Sequence, residues 1–191
     1  MTERLSLGPE PVPVKLRVED YLLLDQSGAF DGYAKTELIE GEVFCVSAQH
    51  LAHARIKSRL LLRLAEALGR LGSGLEAIVE VSIAMPPINV PQPDIVLTDQ
   101  AEGEGLMTLR SARLIVEVAD ATLRTDLKRK AVIYARHGVP EYWVVDVEGR
   151  QVHQLWSPRG EAYTERRLVA FGEPIQSATL TGLVVETHDV G

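Results

Sequence analysis

The chain has 191 residues and a mass of 21.0 kDa, the size of one ordinary domain. Its 46% hydrophobic and 25% charged residues exclude a disordered chain, and the net charge of −7 excludes a wholly basic nucleic-acid coat. One cysteine, Cys45, cannot staple a fold. The first residues lack the apolar stretch of a signal peptide, and no run approaches the roughly 20 apolar residues of a membrane span. The expectation is a cytoplasmic protein.

Residues 1–14 carry Pro9, Pro11 and Pro13 and read as an extended tail. Residues 15–191 read as a single domain, because no linker, repeat or low-complexity block interrupts them. VEDYLLL from Val18 predicts a short helix. Glu37 to Ser47 predicts two short strands about a Glu40-Gly41 turn, where glycine supplies a positive φ. From His50 to Leu71, apolar residues at three- and four-residue spacing (Ile56, Leu60, Leu64, Leu68) predict a long helix, ended by Gly72-Ser73-Gly74.

Ala77 to Met85 predicts a strand closed by Pro86-Pro87. Asp94 to Thr98 and Arg113 to Val118 predict two interior strands, with the loop AEGEGLMT between them. Arg124 to His137 predicts a second clear helix, capped by Gly138 and stopped by Pro140. EYWVVDV from Glu141 is another central strand. After Gly149 the chain turns to β in VHQLWS, AYTERRLV, PIQSATL and LVVET. The class is α/β (α+β): a mixed central sheet flanked by helices, with a β-rich C-terminal part.

Charge in an apolar setting marks the chemistry. In Leu114-Ile115-Val116-Glu117-Val118, period two puts Leu114, Val116 and Val118 on one face and Ile115 with Glu117 on the other. A buried, ionised Glu117 requires a partner, a metal or an opening to water. Asp94, at the head of Asp94-Ile95-Val96-Leu97, poses the same question. Two such carboxylates on neighbouring strands can converge on a divalent cation of the Mg²⁺ type. The plainer alternatives are a Pro93-Asp94 turn and a strand-end salt bridge of Glu117. Lys130 falls among Leu127, Ala131 and Tyr134 on the packed side of the second helix and can reach back to the sheet. Taken by itself, it reads first as a lysine that snorkels to Asp126.

Several other residues read more plainly. Arg55, Arg59 and Arg63 with Lys57 could touch phosphates, but such a row reads first as a solvated helix face. His50 and His53 have a spacing that zinc accepts, yet no third soft ligand completes a set. His137 reads as a partner of the helix dipole, Cys45 as a buried small hydrophobe, and Tyr142 and Trp143 as core or interface. No G-x-S-x-G elbow, P-loop or dinucleotide fingerprint is present.

The run VEVADATLRTDLKRKAVIYARHGVPEYWVVD (Val116 to Asp146), with Gln92-Pro93-Asp94-Ile95-Val96 and Thr36-Glu37-Leu38-Ile39-Glu40-Gly41-Glu42, resembles the Uma-type family of restriction-endonuclease-like proteins in the PD-(D/E)XK nuclease superfamily. The resemblance spans roughly Val18 to Leu183. It implies a restriction-endonuclease-like fold and a site of Asp94, Glu117, Lys130 and Glu37. Asp94 and Glu117 would hold Mg²⁺ or Mn²⁺, and Lys130 would position a water or bind phosphate oxygens. Glu37 would complete the outer shell, its plain alternative being an exposed edge-strand glutamate. His53 falls where the family often carries a histidine. The superfamily's usual lysine, two residues after the strand carboxylate, is replaced by Ala119, so its role passes to Lys130. The implied activity is that of a metal-dependent endodeoxyribonuclease acting on nucleic acid, DNA before RNA. No membrane partner is implied, and a homodimer is left open. The alternatives are a catalytically inactive binding or assembly module on the same fold, and a nucleotide phosphodiesterase.

Overall fold

The structure, a computed structural model, describes residues 12–45 and 50–191. Most of the tail with Pro9 and Pro11, and the Val46-Ser47 end of the expected hairpin, lie outside the described residues. Helix α1 (Val18–Gln26) starts where Asp20 accepts a hydrogen bond from the Arg17 amide at 2.9 Å. The hairpin β1 (Thr36–Ile39) and β2 (Glu42–Cys45) turns through Glu40 and Gly41, both at positive φ. A Cβ on Gly41 would stand 2.7 Å from that of Lys15, so the strap leading into α1 also demands glycine there. Helix α2 (Leu51–Leu71) ends at Gly72 in the left-handed conformation, as expected.

The central sheet has the order β10-β9-β8-β7-β5-β3. Its strands are β3 (Glu76–Val79), β5 (Ile95–Thr98), β7 (Ala112–Ala119), β8 (Glu141–Asp146), β9 (Gln151–Arg159) and β10 (Ala162–Ala170). Among the described strands of this sheet, only β7 and β8 pair in parallel, and the helical segment between them supplies the crossover such a pair needs. The expected strand from Ala77 to Met85 is two pieces, because Glu80 takes a positive φ and breaks the ladder before β4 (Ile83–Ala84). The loop AEGEGLMT is not wholly irregular, since β6 (Met107–Thr108) pairs with β4. The C-terminal segments are shorter than expected, forming β11 (Ile175–Gln176) and β12 (Val184–Val185).

Alternation along β7 divides the core. Leu114, Val116 and Val118 pack under Ile56, Leu60, Leu64 and Leu68 of α2, together with Trp143 and Val145 of β8. Ile115 and Ala119 face the other way, with Tyr142 and Val144, against Ala131, Ile133 and Tyr134. The crossover is α3 (Leu123–Thr125), a π turn (Asp126–Lys130) and α4 (Ala131–Arg136). In an α-helix, residues four apart drift by about 40° around the axis. The wider turn offsets that drift, and Asp126, Lys130 and Tyr134 are all buried.

Two expectations fail at the surface. Cys45 is exposed, at the rim of a cleft rather than in the core. His137 closes α4, but burial and the neighbouring Arg136 push its pKa down, away from the charged form a dipole partner needs.

Candidate active site

Ile95 pairs with Val116 in the antiparallel β5–β7 register. One step further along, Asp94 lies opposite Glu117. The Val118 amide donates to Asp94 Oδ2 at 2.8 Å and ties the two strand ends together. The hairpin is docked onto the segment before β5: Leu38 and Val90 exchange two backbone hydrogen bonds, of 3.2 and 2.7 Å. Glu37 is thereby turned inward, and its Oε1 accepts the Gln92 amide at 2.7 Å. It is therefore not an exposed edge glutamate.

The π turn brings Lys130 over these groups. Its Nζ donates to Glu117 Oε1 at 2.8 Å and to Glu37 Oε1 at 3.1 Å. Tyr134, one turn on, donates its hydroxyl to the same Glu117 oxygen at 2.9 Å. The snorkelling alternative for Lys130 does not hold. Asp126 accepts the Thr122 hydroxyl at 2.6 Å and acts on Lys130 through its charge alone. Relative exposures of 4% for Glu37, Asp94 and Glu117 and 8% for Lys130 put a compact charged group at the floor of a cleft of about 500 Å³.

The environment sorts the carboxylates. Burial pushes the Glu117 carboxyl up, Lys130 draws it down, and Asp126, Asp94 and Glu37 add repulsion; the result is about 8. Burial also acts on Asp94, but the hydrogen bonds from His53 and Val118 outweigh it and hold Asp94 below the ordinary carboxylate range. Lys130 is buried too, yet the surrounding carboxylates keep it firmly protonated.

Two residues of α2 border this set, His53 among them, where the sequence put a site-edge histidine. His53 Nε2 lies 3.2 Å from Asp94 Oδ2, while its buried Nδ1 has no hydrogen-bond partner among the described residues. Lys57, one turn along α2, reaches Glu80 at 2.5 Å and approaches Asp94 Oδ1 at 3.8 Å. Arg63 is held bidentately by Asp189. The expected solvated row is therefore solvated only at Arg55 and Arg59, which are exposed. His50 pairs with Asp120 at 3.2 Å, apart from His53. Among the described residues no three His, Cys, Asp or Glu side chains form a cluster suited to a metal ion. Tyr134 takes part through its hydroxyl, a role its place in an apolar stripe concealed.

A six-stranded mixed sheet with flanking helices and acidic groups gathered at the ends of two central strands defines a nuclease-like α/β fold. The chain belongs to the Uma2 family, described as "Putative restriction endonuclease", whose model matches residues 18–188. Among solved structures it is similar to a "putative nuclease belonging to DUF820" from Anabaena variabilis ATCC 29413. The TM-score is 0.68 at 16% identity, over 93% of this chain and 97% of that one. That likeness is one of fold. No curated protein matches the chain. Among the described residues no helix is long and apolar enough to cross a membrane.

Proposed function

We propose that the protein is a metal-dependent endonuclease that hydrolyses phosphodiester bonds of DNA at the cleft formed by Asp94, Glu117, Lys130 and Glu37. The observation that carries this reading is the convergence of the four side chains, drawn from β1, the head of β5, β7 and the π turn, on one cleft floor.

The donor set suits Mg²⁺ or Mn²⁺ rather than zinc. Mg²⁺ takes one or two carboxylates and completes its shell with water and substrate phosphate. Glu117 Oε1 is committed to Lys130 and Tyr134, and its second oxygen has no hydrogen bond among the described residues. A carboxyl raised to about 8 by burial beside other carboxylates is a group that a bound cation would relieve. Asp94 and Glu117 would hold the ion. When bound, it would acidify a water and neutralise charge developing on the phosphoryl group.

The chain's own residues supply the rest. Lys130 Nζ, fixed between two carboxylates, presents a positive charge where negative charge builds on the non-bridging oxygens. Glu37 helps Glu117 hold that ammonium in place. Lys35, Arg124 and Lys128 also line the cleft and offer charge to the flanking phosphates.

The test is cleavage of supercoiled plasmid and circular single-stranded DNA by purified protein with Mg²⁺ or Mn²⁺. Chelator and Asp94→Ala serve as controls. Cleavage lost in both controls supports the reading. Cleavage that survives Asp94→Ala, or a protein that neither binds nor cuts either DNA, overturns it.

A further inference from the structure

Hairpin and helix meet in two parallel rungs. The inner rung is Glu37 with Lys130, at 3.1 Å. In the β1–β2 register the residue opposite Glu37 is Phe44, and on the helix the neighbour of Lys130 is Arg129. These two form the outer rung, with the Arg129 guanidinium 4.5 Å from the centre of the Phe44 ring. Cross-strand partners project from the same face at a separation of about 5 Å. Phe44 therefore stands one residue's width from a carboxylate of the site, and both line the cleft.

Phe44 is 38% exposed although its cross-strand partner, Glu37, is buried. Arg129 is fixed by Glu40 at 3.1 Å and Glu42 at 3.3 Å, so it steadies the ring while its own charge is largely spoken for. Arg124 and Lys128, which line the same cleft, are exposed and make no ion pair among the described residues. An aromatic platform and uncommitted cations in one cleft are the combination by which proteins hold unpaired nucleotides: bases stack, phosphates are neutralised. In an intact duplex the base faces are already covered by their neighbours, and such a platform has nothing to grip.

We infer that Phe44 is a base-stacking subsite beside the scissile position, and that the preferred substrate is single-stranded nucleic acid. This rests on the nuclease reading of the cleft. Arg124 and Lys128 contact the phosphates that flank the stacked nucleotide.

The experiment is fluorescence anisotropy of a labelled single-stranded oligonucleotide and of its duplex, in chelator so that nothing is cut. Wild type, Phe44→Ala and Phe44→Trp are compared. The expected result is tighter binding of the single strand, about tenfold weakening of that binding in Phe44→Ala, and little change for duplex. Phe44→Trp should restore the affinity, and its indole fluorescence should be quenched when the single strand binds. Phe44→Ala binding both forms like wild type, or losing both equally, overturns the inference and leaves the nuclease reading standing. Failure to bind either form, together with failure of the cleavage assay, overturns both.

Discussion

Two buried glutamates on adjacent strands, Glu117 of β7 and Glu141 of β8, are handled in opposite ways. Glu141 accepts six hydrogen bonds: from Trp143, Gln154 and the Ala178 amide on one oxygen, and from Ser177 and the Thr179 amide and hydroxyl on the other. Burial raises its pKa, but these donors outweigh burial and hold it below the usual range. Glu117 is equally hidden, yet its two donors, Lys130 and Tyr134, share one oxygen, and its pKa is pushed up to about 8. A carboxylate that serves the fold is closed on both oxygens by neutral donors. One that serves chemistry keeps an oxygen toward the cleft and accepts the electrostatic cost.

The contrast breaks most plainly by substitution. Glu141→Ala leaves six donors without an acceptor, and should lower the unfolding free energy by about 3 kcal/mol or prevent folding. Glu117→Gln should cut cleavage by at least about 100-fold while the Tm does not fall, because repulsion from Glu37, Asp94 and Asp126 is relieved. Denaturant melts and initial cleavage rates on both variants check this. A Glu117→Gln protein that melts far below wild type would assign both glutamates to the fold.

A smaller effect of opposite sign at the two positions should appear in the pH dependence of stability. Glu141 has a depressed folded pKa. Its contribution is present above the unfolded value of about 4.3 and is lost as pH falls through the folded one. Glu117 has a raised folded pKa. Its contribution is complete below about 4.3 and is lost as pH rises toward about 8. The stability gap between wild type and Glu141→Gln should therefore close on acidification. Measured against Glu117→Gln, wild type should lose ground between pH 5 and 8, in urea melts without divalent metal.

This division was only half legible in the sequence. Glu117 declared itself because it breaks an apolar run of period two, and Asp94 because it heads a buried strand. Glu141 follows Pro140 and looks like a residue at a strand's start. Its donors other than Trp143 come from positions 13 to 38 residues away, which no local pattern exposes. The π turn is invisible for a related reason. Lys130 and Tyr134 carry helical spacing whichever carbonyl their amides choose, so the alignment that buries Asp126 as well is decided by packing on β7 and β8. Cys45 misled because its neighbours in sequence are apolar, whereas exposure depends on what covers the hairpin.

Asp94 stands between the two extremes and sharpens the comparison. Its Oδ2 is closed by the Val118 amide and by His53, while Oδ1 lies 3.8 Å from Lys57. Since that oxygen accepts, His53 must donate from Nε2. Its buried Nδ1 has no hydrogen-bond partner among the described residues, a condition disfavoured by about 1–3 kcal/mol. Tolerating it makes sense when orientation of the carboxylate is the gain. His53→Ala should weaken Mn²⁺ binding about tenfold, measured by titration calorimetry, and His53→Gln should recover most of it, because its amide can replace the Nε2 donor. Equal Mn²⁺ affinity in all three proteins would mean that Asp94 is oriented without His53, and would move His53 to the packing of α2 against the strand end.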